Sequence, residues 1–232
     1  MRKEFLPHPH SLKAFTLSEV LITLVIIGVV VAVTIPVLSH QHRNMVLQNQ
    51  FKHAHSVLSQ AVNMLQMRYP YWYDDLGVWI NDDKTLGLTG NGAAGKIGEL
   101  LQQEFNKLNS TVKTNKRDYS RQFSKYYKNR QNTSVGPSGW GALGYFDTTD
   151  GMTIYPECSG GCKHIHFFVD INGVHNKPNR QGYDLFDFQI DKKTGNLIPA
   201  TQFGTKCNRT DTYSGFDCTT QALSDNDYFK KL

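Results

Sequence analysis

The sequence predicts an α+β protein, a long N-terminal helix carrying a small antiparallel β-sheet. Three observations carry this expectation. An apolar run from Leu12 to Leu38 passes into a stripe of helical period that ends near Leu65. The C-terminal half breaks into short β-branched and aromatic segments separated by Asp-Gly, Asn-Gly and Thr-Gly turns. All four cysteines lie beyond residue 150, in that same half. With 232 residues and 39% hydrophobic side chains, the chain has room for one globular domain beyond the helix. Its formal charge of +5 falls to +3 without the first fourteen residues, which carry Arg2, Lys3 and Lys13 against Glu4.

The first element is the apolar run. Val20 to Leu38 holds no charge, and about 19 residues at ~1.5 Å rise make roughly 28 Å of helix, close to the ~30 Å hydrocarbon core of a bilayer. A cleaved secretory signal would have a shorter core and an A-x-A-like site, whereas Ser39, His40 and Gln41 follow here. A plain membrane anchor leaves Glu19 unexplained, because a carboxylate within a membrane helix is costly and usually has a partner. A third reading places a processing site between Ala14 and Phe15, ahead of the run.

Lys13-Ala14-Phe15-Thr16-Leu17-Ser18-Glu19 resembles the class III signal of type IV prepilins and type II secretion pseudopilins. The resemblance covers the first quarter of the chain and departs at Ala14, where that family usually has Gly. It implies a basic leader over 1–14, removed by a prepilin peptidase that also methylates the new amine of Phe15. Residues 15–38 would then be both membrane anchor and filament core, and 39–232 an extracytoplasmic pilin-like domain. Glu19, the fifth mature residue, would support assembly, its buried charge made tolerable by the terminal amine of a neighbouring subunit. The leader's basic residues stay cytoplasmic, which puts everything after Leu38 outside.

Pro36 interrupts the hydrogen-bond ladder near the end of the run. Beyond it Leu47, Phe51, Ala54, Leu58, Val62 and Leu65 recur at three- and four-residue steps, with Gln48, Lys52, His53, Gln60 and Asn63 between them. One helix from Phe15 to Met67 would be roughly 80 Å long, ending before Tyr69-Pro70. The aromatics from Tyr69 to Trp79 suit a packed cap. Gly87 to Gly95 lacks the spacing of a phosphate loop, and Ile97, Leu100, Leu101, Phe105 and Leu108 predict a second short helix.

The most charged stretch follows. Lys113, Lys116, Arg117, Arg121, Lys125, Lys128 and Arg130 are interleaved with Tyr119, Phe123, Tyr126 and Tyr127. Basic side chains neutralise phosphates and exposed rings stack on bases, so this stretch is the candidate DNA interface. The family resemblance adds that some filament subunits bind incoming DNA. A solvated charged face with inward aromatics is the competing reading.

Strands are expected at Leu143–Phe146, Met152–Tyr155, Ile165–Val169 and Leu185–Ile190, with turns at Asp150-Gly151, Asn172-Gly173 and Thr194-Gly195. Asn172-Gly173 favours a tight hairpin-type turn. For a chain routed through a membrane the cysteines read as two disulfides, with zinc as the rival. Local spacing favours Cys158–Cys162 and Cys207–Cys218 among three connectivities.

A last motif runs from Asp170 to Phe188 as D-x-N-G…P-N…G-x-D-x-F-x-F and resembles the C-terminal half of a subgroup of prepilin-like proteins, where it links two strands. Asp170, Asn172 and Asp184 are the candidate calcium ligands, since calcium takes hard oxygen donors, but the EF-hand spacing is absent and turn-closing hydrogen bonds are the alternative. No other cofactor is expected. His164 and His166 alternate along one strand beside Cys158 and Cys162, the only hint of a membrane-anchored periplasmic enzyme. No nucleophile–base arrangement can be argued from order alone. The expectation is therefore a non-catalytic filament subunit, minor or accessory, of a type IV pilus or type II secretion pseudopilus. Its partners would be other pilin subunits, the peptidase and the inner membrane; the alternative is a DNA-capturing competence pilin.

Overall fold

The structure, a computed structural model, describes residues 15–68, 100–104, 113–115, 125–132, 145–159, 164–191, 193–201, 207, 215 and 217–232. At 113–115, 158, 159 and 164 only the backbone is described. Helix α1 spans Leu17–Arg68 and keeps Pro36 inside it. The chain divides into two compact units, Met1–Arg43 and Asn44–Leu232.

In the first unit every described side chain is exposed. The two threonine hydroxyls between Val20 and Leu38 are satisfied locally. Thr23 Oγ1 donates to the Val20 carbonyl and Thr34 Oγ1 to the Val30 carbonyl, each at 2.9 Å. Neither threonine is therefore left to seek a partner in an apolar surrounding.

In the second unit the expected stripe is the buried face of α1: Leu47, Phe51, Ala54, Leu58, Val62 and Leu65, joined by Asn44 and Ala61. It packs on a sheet that holds six strands among the described residues, in sequence order and antiparallel throughout. These are β1 (Lys113–Asn115), β2 (Tyr145–Asp147), β3 (Thr153–Ser159), β4 (His164–Asp170), β5 (Leu185–Ile190) and β6 (Leu197–Pro199). Alternation along the strands sends Ile154, Ile165, Phe167, Val169, Phe186, Phe188 and Ile190 into the core shared with α1. Phe51 anchors that core, its ring 4.5 Å from Phe186 and 5.5 Å from Phe229. The other sheet face is also buried, by a smaller cluster of Tyr127, Tyr155, Phe168, Val174 and Leu185.

Four of these strands were legible. β3 runs further than expected, past Pro156 to Ser159, because β4 pairs with it over that whole length, while β2 pairs only with Thr153 and Ile154. Beyond them β3 has no described neighbour on that side, where a missing N–H is tolerated. β1 and β6, three residues each, carry no alternation that would announce them. A short helix α2, Cys218–Ser224, and a 3-10 turn at Phe229–Lys231 complete the described elements. Residues 100–104 are helical, within the expected second helix.

The expected tight turn at Asn172-Gly173 is not formed. Instead residues 171–184 make a long connection between β4 and β5. Gly173 has φ +82°, and a Cβ there would collide with the Gly151 carbonyl oxygen, so the Asp150-Gly151 turn packs directly against this loop.

Candidate functional site

Two places bear on function, the start of α1 and the loop after β4. At the helix start, the Thr16 backbone N–H and Oγ1 both donate to Glu19 Oε2 at 2.8 Å. The Glu19 N–H in turn lies 3.2 Å from Thr16 Oγ1 and donates to it. This is a reciprocal capping box, which satisfies donors that the first turn of a helix leaves open. The Thr-x-x-Glu spacing was its sequence signal, which the reading of Glu19 as an assembly residue did not use. The carboxylate remains exposed and can accept a further cationic donor. Phe15 is 84% exposed, and Ala14 lies outside the described residues. From Leu17 onward the run is long and apolar enough to cross a membrane.

In the loop, Asp170 and Asp184 are both fully buried. Asp170 Oδ1 accepts the N–H groups of Asn172 (3.2 Å) and Gly173 (2.9 Å), while Oδ2 accepts the Tyr127 hydroxyl at 2.7 Å. Asp184 accepts the N–H groups of Asn179 at 2.7 Å and Arg180 at 2.6 Å. Burial, and next the nearby Asp184 carboxylate, push the Asp170 carboxyl well above its ordinary range. Burial also pushes Asp184 up to about 6, against the opposing pull of those N–H donors. The side chain of Asn172 donates to Asp184. The three candidate calcium ligands are thus brought together, but their carboxylate oxygens are engaged in closing turns. Among the described residues no cluster of three or more His, Cys, Asp or Glu is arranged to hold a metal ion.

Of the basic stretch, the described side chains Lys125, Lys128 and Arg130 have different surroundings. Lys113 contributes backbone to β1, and Lys116, Arg117 and Arg121 lie outside the described residues. Lys125 is exposed, with Nζ 5.3 Å from the Tyr126 ring centre. Lys128 is tied by backbone to the aspartate loop: its N–H donates to the Asn179 carbonyl and its carbonyl accepts from Gln181. Arg130 is half-buried, over the Tyr183 ring at 5.4 Å and donating to Cys207 Sγ at 2.8 Å. Tyr127 is wholly buried, its hydroxyl 3.0 Å from that of Tyr155, so its ring cannot stack on a base. The inward-aromatic alternative describes this residue; a continuous DNA face is not formed by the described part of the stretch.

Cys207 and Cys218 form the expected disulfide, with S–S 1.98 Å, tying α2 to the preceding chain. The Cys158–Cys162 pair falls on side chains outside the described residues. His166 is completely buried, with Nδ1 3.3 Å from both carboxylate oxygens of Asp187. Burial raises the Asp187 carboxyl and His166 opposes the rise. Neither group is open to a substrate. His164 has no described side chain. No family model, no curated protein and no solved structure matches this chain.

Proposed function

We propose that the chain is a prepilin-like structural subunit, processed between Ala14 and Phe15, methylated at Phe15, and staged in the inner membrane before assembly. One observation carries the reading: a single helix has one half with every apolar side chain uncovered and another half that is the buried spine of an α+β body. The uncovered half needs lipid before assembly and neighbouring helices after it. The motif Lys13 to Glu19 supplies a processing site at the start of that half, and the Thr16–Glu19 capping box keeps a helix start intact where the new terminus would be. The body, with its disulfide, lies on the extracytoplasmic side. A minor or accessory place in the filament follows from the length of the body, which exceeds what a plain major pilin requires.

Mass spectrometry of the membrane-extracted protein tests this. In cells that possess the peptidase, the N-terminus is expected at Phe15 with one added methyl. An intact Met1 form in those cells, or cleavage after Leu38, overturns the subunit reading and leaves an anchored or secreted domain.

A further inference from the structure

Among the described residues one cavity stands out, formed in part by the first residues of the loop after β4. A half-open cleft of ≈ 690 Å³ lies between the turn joining β2 to β3 and the first part of the loop after β4. That volume is within the roughly 300–1,000 Å³ range of small-molecule sites. Tyr145 forms one wall, its ring 5.3 Å from the buried Tyr155 ring, and Tyr126 packs partly buried on the same cluster. These rings are therefore held in place before any ligand arrives.

The polar groups of the cleft are an acid and amides. Asp147 Oδ1 accepts the Thr153 hydroxyl at 2.6 Å. Asn176 is exposed and donates to the Asn172 carbonyl at 2.6 Å. The side-chain oxygen of Asn172 is buried and has no hydrogen-bond partner. Among the described residues that line the cleft there is no Lys or Arg, and His175 is the group there able to carry positive charge. Against these described residues a phosphate, a nucleic acid or a sulfated chain meets an acid and no fixed cation, which favours a neutral ligand. A purely apolar ligand would strand the acid and the amides.

We propose that this cleft binds a neutral saccharide, whose C–H face lies on Tyr145 and whose hydroxyls, each donor and acceptor, pair with Asp147 and Asn176. The site lies wholly within the second unit and stands whether or not the chain assembles into a filament.

The test uses the full chain in a zwitterionic detergent that has no sugar headgroup. Saturation-transfer NMR and tyrosine-fluorescence titration are run with neutral trisaccharides of glucose, galactose and N-acetylglucosamine, with a sulfated trisaccharide and a proline-rich peptide alongside. Saturation transfer to at least one neutral sugar is expected. Tyr145→Ala and Asp147→Asn should each weaken it about tenfold, whereas Tyr145→Phe, which keeps the ring, should stay within about twofold. Asn176→Ala, an exposed change that leaves the cluster intact, should weaken it as well and guards against a misfolded Tyr145→Ala. Absence of transfer from all three neutral sugars, tighter binding of the sulfated sugar or the peptide, or indifference to both Asp147→Asn and Asn176→Ala overturns the proposal.

Discussion

Replacing Tyr127 by Phe removes one hydroxyl from the junction between the stretch 125–132 and the aspartate loop. That hydroxyl donates to Asp170 at 2.7 Å and lies 3.0 Å from the Tyr155 hydroxyl, with the ring completely buried. A hydrogen bond to a charged acceptor contributes about 1.5–3 kcal/mol, and one to a neutral acceptor about 0.5–1.5 kcal/mol. Which applies depends on pH. Asp170 and Asp184 have native values raised above the ordinary carboxylate range, chiefly by burial. The native state therefore holds protons that the unfolded chain has released. Stability contributed in this way is full below the unfolded value near 3.8 and is lost as pH rises through the native values, which for Asp184 is about 6. Tyr127 favours the charged form of Asp170, so its removal raises that carboxyl further and steepens the loss. The expected destabilisation by Tyr127→Phe is about 1 kcal/mol at acidic pH and about 2–3 kcal/mol where Asp170 is ionised. Urea unfolding of the full chain across a series of pH values from acidic to alkaline, compared at equal slope, measures it. Equal destabilisation throughout the series, or a smaller one at its alkaline end, would refute the assignment of Tyr127 as the donor that holds the Asp170 carboxylate.

Other expectations concern the helix start and the loop. Thr16→Val removes the capping hydroxyl and keeps the acid, whereas Glu19→Gln keeps a capping-box acceptor and removes the charge. If the charge serves assembly, sheared filaments lose the Glu19→Gln chain and retain Thr16→Val; equal retention of both reduces Glu19 to a cap. Chelation with EDTA is expected to leave the thermal midpoint unchanged, because the Asp170 and Asp184 oxygens are engaged by N–H and hydroxyl donors. A calcium-dependent rise in midpoint that Asp184→Asn abolishes would restore Asp170, Asn172 and Asp184 as ligands.

The α1 stripe was fully legible, because a period of 3.6 residues with one apolar face leaves a clear imprint from Leu47 to Leu65. The central strands were legible for the related reason that both of their faces are buried, making near-continuous apolar runs such as Phe167-Phe168-Val169. What escaped was short or cooperative. Lys113-Thr-Asn and Leu197-Ile-Pro are strands only because a neighbour offers a ladder edge. Asn172-Gly173 reads as a hairpin locally, but Asp170 and Asp184 draw their hydrogen bonds from a wider loop, a tertiary demand that overrides the dipeptide. Arg130 looked like one more surface cation, although its aliphatic stem and guanidinium lie over Tyr183 and beside a disulfide formed by residues far along the chain.

The uncovered half of α1 argues for an environment rather than for a fold. Fifteen large apolar side chains between Leu17 and Leu38 stand exposed, and covering them is worth on the order of 20 kcal/mol. Lipid tails and neighbouring helices supply that equally well, so the apolar surface alone does not separate an anchor from a filament subunit. Glu19 does. Processing before Phe15 would create a cationic amine at the N-terminal end of a helix, where the macrodipole already disfavours positive charge. The acid of the first turn, already bonded to the Thr16 N–H, is the nearest group able to offset it. Methylation leaves that amine charged, so the need for the acid persists after modification. A chain that is never cut has no such amine and gains from Glu19 only a cap, which Gln would supply without carrying a charge toward the membrane.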